Sequence, residues 1–177
     1  MTPAVFFDRD DTLIVDRIYL NDPDQIEYLP DSDTCLKAVM DAGYKIVLVT
    51  NQSGVAKGIV DPKNLDEIHR RIDQHYKALG IEICDFLSAP YLTTSDHYYR
   101  KPQPGMLREA AEAHGLDLKK SWMVGDRMSD VEAGHRAGCR TILLSDKESP
   151  EDSPFAGPEH HVHSLLEVRD AILQAAN

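Results

Sequence analysis

Three cysteines, Cys35, Cys84 and Cys139, lie far apart in a chain of 177 residues. No close-spaced pair exists, which leaves no basis for a disulfide framework or a cysteine-based zinc centre. All three read as reduced, packed side chains. No apolar run nears the roughly 20 residues that a membrane-spanning helix needs. Met1-Thr2-Pro3-Ala4 leads into a short strand-like run that ends in acid. That start matches neither a secretory signal nor an Arg-rich transit peptide, and the expected compartment is the cytoplasm. Clustered base is missing too: 19 Lys and Arg face 30 Asp and Glu, a formal charge of −11. This balance argues against broad affinity for nucleic acid or anionic membrane. A small anionic substrate stays compatible, because a metal and a few cations reverse the field locally.

What is present is a globular composition, 42% hydrophobic and 28% charged, in a length that suits one domain over residues 1–177. Apolar strand-like runs alternate with helical patterns. "AVFF" and "YKIVLVT" read as buried strands, with further strands around "ICDFLSAPY", "SWMVG" and "CRTILLS". Leu36, Val39 and Met40 form one helical stripe ending at Gly43. Leu65, Ile68, Ile72 and Leu79 form another, ending at Gly80. "GMLREAAEAHG", introduced by Pro104, and "MSDVEAGHRAG" read as helices, and Ser164 with Glu167 reads as a capping box before a last helix. The alternation predicts an α/β fold: a Rossmann-like parallel sheet in three layers, with helices on both faces and no large cap domain. Residues 14–31 have no sustained period and carry Asn-Asp-Pro-Asp, the mark of a long loop.

In such a sheet, ligands bind beyond the carboxyl ends of the strands, and Asp8, Thr50 and Asp126 all fall there. Asp8-Arg9-Asp10-Asp11-Thr12 crowds like charges that need compensation. By itself it is weak evidence, since Asp10 and Asp11 also suit a turn. Three further segments give it context: "VTNQSG" after a strand, "RKPQPGM" before a helix and "MVGDRMSD" at a strand-to-helix junction. Together they suit phosphoryl transfer. Asp8 and Asp126, with the backbone carbonyl of Asp10, offer oxygen ligands to Mg²⁺. Thr50 and the Asn51 amide offer donors to phosphoryl oxygens, and Lys101 a point charge. Asp130 reads equally as support for metal-bound water or as a plain helix cap.

These four segments resemble those of the haloacid dehalogenase superfamily of phosphatases, over nearly the whole chain. "DRDDTL", "VTNQSGVAKG", "RKPQPGM" and the loop "VDRIYLNDPDQIEYLPD" resemble most the branch that holds heptose bisphosphate and histidinol-phosphate phosphatases. The resemblance implies that Asp8 is the nucleophile, Asp10 the general acid and base, and Asp126 a Mg²⁺ ligand, with Thr50 and Lys101 stabilising the phosphoryl group. It places Asp16, Arg17, Ile18 and Tyr19, the segment Asn51, Gln52 and Ser53, and Arg100 and Arg127 around the substrate. Many relatives carry a Cys and His zinc cluster in the loop just before the Arg-Lys-Pro motif. Here "APYLTTSDHYYRKP" offers only His97, so no structural zinc is expected. Asp11 stands where Gly is frequent and reads as a turn residue, with Arg9 pointing away from the reaction.

The expected partner is a small phosphorylated metabolite, a sugar bisphosphate ahead of histidinol phosphate, and the protein is expected to act as a monomer. A nucleic-acid 3′-phosphatase is disfavoured by the absence of a basic stripe. A non-catalytic phosphate-binding protein is disfavoured because every catalytic position holds a competent residue. "EHHVH" reads as solvated histidines on a late surface strand, and Trp122 and Met123 as core.

Overall fold

The computed structural model describes residues 1–177. Six parallel strands form one sheet: β1 (Ala4–Phe7), β2 (Lys45–Asn51), β3 (Ile83–Ala89), β4 (Trp122–Gly125), β5 (Arg140–Leu144) and β6 (His160–Val162). Their spatial order is β3-β2-β1-β4-β5-β6. Five of them coincide with the apolar runs of the sequence. The sixth is the His-rich segment, which pairs with β5 at the sheet edge through Ile142 to His160 and Leu144 to Val162.

Six helices complete the fold: α1 (Ser32–Asp41), α2 (Ser53–Ala56), α3 (Pro62–Ala78), α4 (Gly105–His114), α5 (Met128–Ala137) and α6 (Leu165–Ala175). Strand alternation sorts them into two layers. Val5 and Phe7 of β1 face a core shared with Leu36 of α1, Ile68 and Ile72 of α3 and Ile172 of α6. Ala4 and Phe6 face the opposite core, with Met106 and Ala110 of α4 and Ala133 of α5. Trp122 and Met123 are fully buried, one in each core. No helix is long and apolar enough to cross a membrane.

The chain winds outward from β1 through β2 to β3, then returns to the other side of β1 and winds outward again from β4 to β6. The winding therefore reverses between β1 and β4, and a crevice opens beyond the carboxyl ends of those two strands. Pairing of β1 with β4 runs through Phe7 to Val124, and the Asp8 amide donates to the Val124 carbonyl at 2.9 Å. Asp8 and Asp126 leave the sheet side by side.

The long segment between β1 and α1 is a loop held against α3 and the turn before it. Asp24 pairs with Arg71 at 2.6 Å, the Tyr28 ring stacks on His75 at 3.7 Å between centroids, and Asn21 accepts from Asn64 Nδ2 and the Asp61 amide. The loop between β3 and α4 is tied internally. The His97 ring stacks on Tyr91 at 3.8 Å, and its Nδ1 accepts from the Tyr99 amide at 3.0 Å.

Candidate active site

Asp8, Asp126 and Asp130 each bring a carboxylate oxygen to within 4.8 Å of the others. Asp8 follows β1, Asp126 follows β4, and Asp130 enters from the first turn of α5. That turn is anchored by Asp130 itself, whose Oδ2 accepts from the Arg127 amide at 3.0 Å. Its Oδ1 pairs with Lys101 Nζ at 2.7 Å, so one side chain both caps the helix and joins the charge cluster. Gly125 permits this approach: a Cβ there would lie 2.3 Å from Asp130 Cγ.

Lys101 is 3% exposed. Its ammonium donates to Asp8 Oδ1 and to the Val49 carbonyl, both at 2.8 Å, as well as meeting Asp130. Its backbone is fixed separately by Asn51 at the end of β2. The Lys101 amide donates to Asn51 Oδ1 and the Asn51 Nδ2 donates to the Lys101 carbonyl, each at 3.0 Å.

One ammonium among three carboxylates leaves a net negative centre. Burial raises the Asp8 carboxyl, but Lys101 and hydrogen bonds from its neighbours outweigh it, and the net direction is down. Asp126 goes the other way: burial first, then the charges of Asp8 and Asp130, push it up to about 9. Asp130 rises to about 6 for the same reasons, with Lys101 opposing. Asp126 Oδ1 is buried and has no hydrogen-bond partner. Converging hard oxygen donors, an excess of negative charge and an orphaned carboxylate oxygen fit a divalent cation such as Mg²⁺. The third carboxylate of the cluster is that of Asp130 and not of Asp10.

The Asp10 side chain turns elsewhere because Arg9 holds it. Arg9 is 1% exposed, and its Nε and Nη2 both reach the Asp10 carboxylate at 3.1–3.2 Å. Arg9 thus belongs to the site, contrary to the expectation that it points away. Burial and the Asp8 charge raise the Asp10 carboxyl against the pull of Arg9, the direction that suits a group carrying a proton. Asp11 is the turn residue expected of it, left-handed at φ 56° and accepting from the Asp16 amide at 3.0 Å.

Around these groups lies a cavity of about 290 Å³. Asp8, Asp10, Asp16, Ile18, Tyr19, Asn51, Gln52, Ser53, Arg100, Lys101, Asp126 and Arg127 line it, as the motifs predict, together with Thr93, Ser129 and Asp130. Thr93 lies in the segment "APYLTTSDHYYRKP" and Ser129 in "MVGDRMSD", but neither carries a spacing signal that singles it out within its segment. Two predicted residues fall outside the lining. Arg17 turns away, donating to Glu27 at 2.6 Å and to the Gln25 carbonyl at 3.3 Å. Thr50 is buried behind Gln52, its hydroxyl accepting from Gln52 Nε2 at 2.8 Å. Asn51 lines the cavity, but its amide is engaged by the Lys101 peptide rather than presented to a phosphoryl oxygen.

Arg100 and Arg127 both line the cavity wall. Arg100 Nη1 is buried without a partner, and burial together with Arg127 lowers the guanidinium pKa. Arg127 reaches no closer than 4.0 Å to Asp126. Two guanidinium groups thus line the same cavity as the carboxylate and ammonium cluster.

A family model described as HAD-hydrolase-like matches residues 98–168. A D-glycero-beta-D-manno-heptose-1,7-bisphosphate 7-phosphatase of Mesorhizobium japonicum is 37% identical over 161 residues, covering 87% of this chain and 74% of that protein. A D-glycero-alpha-D-manno-heptose-1,7-bisphosphate 7-phosphatase of Photorhabdus laumondii is 33% identical, covering 85% of this chain and 86% of that one. The solved structure of the D,D-heptose 1,7-bisphosphate phosphatase from B. bronchiseptica, complexed with magnesium and phosphate, superposes with a TM-score of 0.85. It is 27% identical and covers 98% of this chain and 99% of that one. Identity at this level over most of both chains, on the same fold, makes this chain a member of the haloacid dehalogenase superfamily of phosphatases.

Proposed function

We propose that the chain is a Mg²⁺-dependent phosphatase that removes the 7-phosphate of D-glycero-D-manno-heptose 1,7-bisphosphate. The observation that carries the choice of a bisphosphate is the Arg100 and Arg127 wall, with its buried, unpartnered Nη1. A substrate with one phosphate at Asp8 and another on these guanidiniums uses both charge centres. Histidinol phosphate, with a single phosphate, leaves the second one empty.

In the reaction, an Asp8 carboxylate oxygen forms a bond to phosphorus as the ester P–O bond breaks. The departing oxygen keeps the electron pair and takes the proton carried by Asp10. Water then attacks the phosphorus of the aspartyl phosphate and gives its proton to Asp10. The bond between phosphorus and Asp8 breaks and inorganic phosphate leaves. Lys101 screens the nucleophile from the dianionic phosphoryl group throughout. Held by Asp8, Asp126, the Asp10 carbonyl and, through water or directly, Asp130, Mg²⁺ supplies further neutralisation of the phosphoryl oxygens when bound.

The same reading has a monomer acting in the cytoplasm without structural zinc. The part without zinc is supported by the loop before Arg100, which holds no cysteine and whose His97 is engaged by the Tyr91 ring and the Tyr99 amide. Phosphate release from the heptose bisphosphate, histidinol phosphate and a 3′-phosphorylated oligonucleotide, each with Mg²⁺ and with chelator, tests the proposal. The expected result is Mg²⁺-dependent release of one phosphate per bisphosphate, with the highest kcat/KM of the three. A higher kcat/KM on either of the others, or no release, overturns it.

A further inference from the structure

His69 lies on α3, in none of the four motif segments, and it does not line the cavity. It nevertheless touches the one buried arginine that holds Asp10: Arg9 Nη1 is 3.1 Å from His69 Nε2. A guanidinium only donates, so the imidazole nitrogen accepts, which places the ring proton on Nδ1. Burial, then the Arg9 charge, drives His69 down to about 3, and the ring stays a neutral acceptor. Phe86 of β3 stacks on its face at 5.2 Å between centroids, 28° from parallel. The ring therefore has little freedom to rotate off Arg9.

Arg9 is consequently directed at all three of its nitrogens, Nη1 to His69 and Nε and Nη2 to Asp10. A planar guanidinium held at one corner transmits that orientation to whatever carboxylate its other edge grips. Gln52 holds the same carboxylate as well, its Nε2 donating to Asp10 Oδ2 at 3.2 Å. Without His69, a buried N–H loses its acceptor and the guanidinium gains a reason to turn toward another one.

We propose that His69 is a positioning residue for proton transfer, fixing through Arg9 the carboxyl of Asp10 that protonates the leaving oxygen, while attack by Asp8 proceeds independently of it. This rests on the phosphatase reading above. The step concerned is the first: the P–O bond breaks, its electron pair goes to the leaving oxygen, and the proton comes from Asp10. A sugar alkoxide needs that proton, whereas p-nitrophenolate, a far weaker base, leaves without it.

The test compares kcat/KM for the heptose bisphosphate and for p-nitrophenyl phosphate in wild type, His69→Leu and His69→Gln, with folding checked by circular dichroism and thermal melting. For His69→Leu the expected loss is at least about tenfold on the sugar ester and under about threefold on the aryl ester. His69→Gln, which restores an acceptor, should recover most of the sugar-ester activity. Equal losses on the two esters, no loss on either, or no difference between Leu and Gln overturns the role of His69 alone. Lack of turnover by the wild type on both esters overturns the phosphatase reading, and the positioning role with it.

Discussion

The two halves of the site are held in opposite ways. The carboxylate and ammonium cluster is interior: Lys101 meets Asp8 and Asp130 at 2.8 and 2.7 Å, and each of these groups is at most 9% exposed. The loop from Asp16 to Tyr19 has only surface ties, the exposed Tyr19 hydroxyl that accepts from Lys57 and the Ile18 amide that donates to Asp16 Oδ1, before Leu20 enters the core. Ile18 is 78% exposed, and Ile18 and Tyr19 both adopt left-handed backbone at φ 52° and 66°. Chemistry that needs fixed charges is therefore built where neighbours over-determine every position. The loop side chains at the cavity wall sit where single substitutions act almost independently.

The largest break in this contrast should come from Asp8→Asn. It removes the nucleophile while keeping shape, and kcat should fall about 10⁴-fold or more with the fold retained, read by phosphate release and circular dichroism. Next, Gly125→Ala pushes a methyl group against Asp130. Because that carboxylate also caps α5 and pairs with Lys101, activity should drop by about 10²-fold and the melting temperature with it. On the cavity wall, Arg100→Ala and Arg127→Ala should each raise KM for the bisphosphate by about 10- to 100-fold with little change for a monophosphate. Arg17→Ala, flanked in sequence by the cavity residues Asp16 and Ile18 but turned to Glu27, should leave both constants within about twofold.

Smaller effects sharpen the same line. Asp126 and Asp130 are raised in the folded chain, so each contributes stability that is complete below the unfolded carboxyl pKa. That stability is lost as pH rises through about 6 for Asp130 and about 9 for Asp126. Mg²⁺ binds the deprotonated cluster, and its increment to the melting temperature should grow as pH rises from about 6 to 9. An increment that is flat or shrinks over that range contradicts the assignment of the cation to these carboxylates. Last, Ile18→Gly should stabilise the protein by up to about 1 kcal/mol in denaturant unfolding, because the left-handed backbone disfavours a β-branched residue and little burial is lost.

Much of the interior was legible because each of its acids follows an apolar strand or opens a helix, where sequence punctuation is clear. Asp8, Asp126 and Lys101 meet where those signals point. The failures have physical causes. Arg9 comes directly after β1, where the chain leaves the strand and simple alternation no longer tells which way a side chain faces. Arg17 finds its acid at Glu27, ten residues on in an aperiodic loop, and no periodic pattern announces such a pairing. Thr50 is the last residue of the buried run of β2, one before the strand's end, so its hydroxyl serves Gln52. His69 shares a helix with Ile68 and Ile72, and its spacing is that of any half-buried helical residue. Gly125 matters only through the approach of Asp130, a distance that has no expression in one dimension.

The reciprocal clamp between the Asn51 amide and the Lys101 peptide has an evolutionary corollary. It ties the ammonium to the end of β2, so the position of that charge is set by the sheet and not by the course of residues 90–100. Insertions, deletions or a different cross-link in that stretch can remodel the mouth of the cavity without dragging the cation off its carboxylates. Lineages that share the chemistry are free to diverge in what they admit to it.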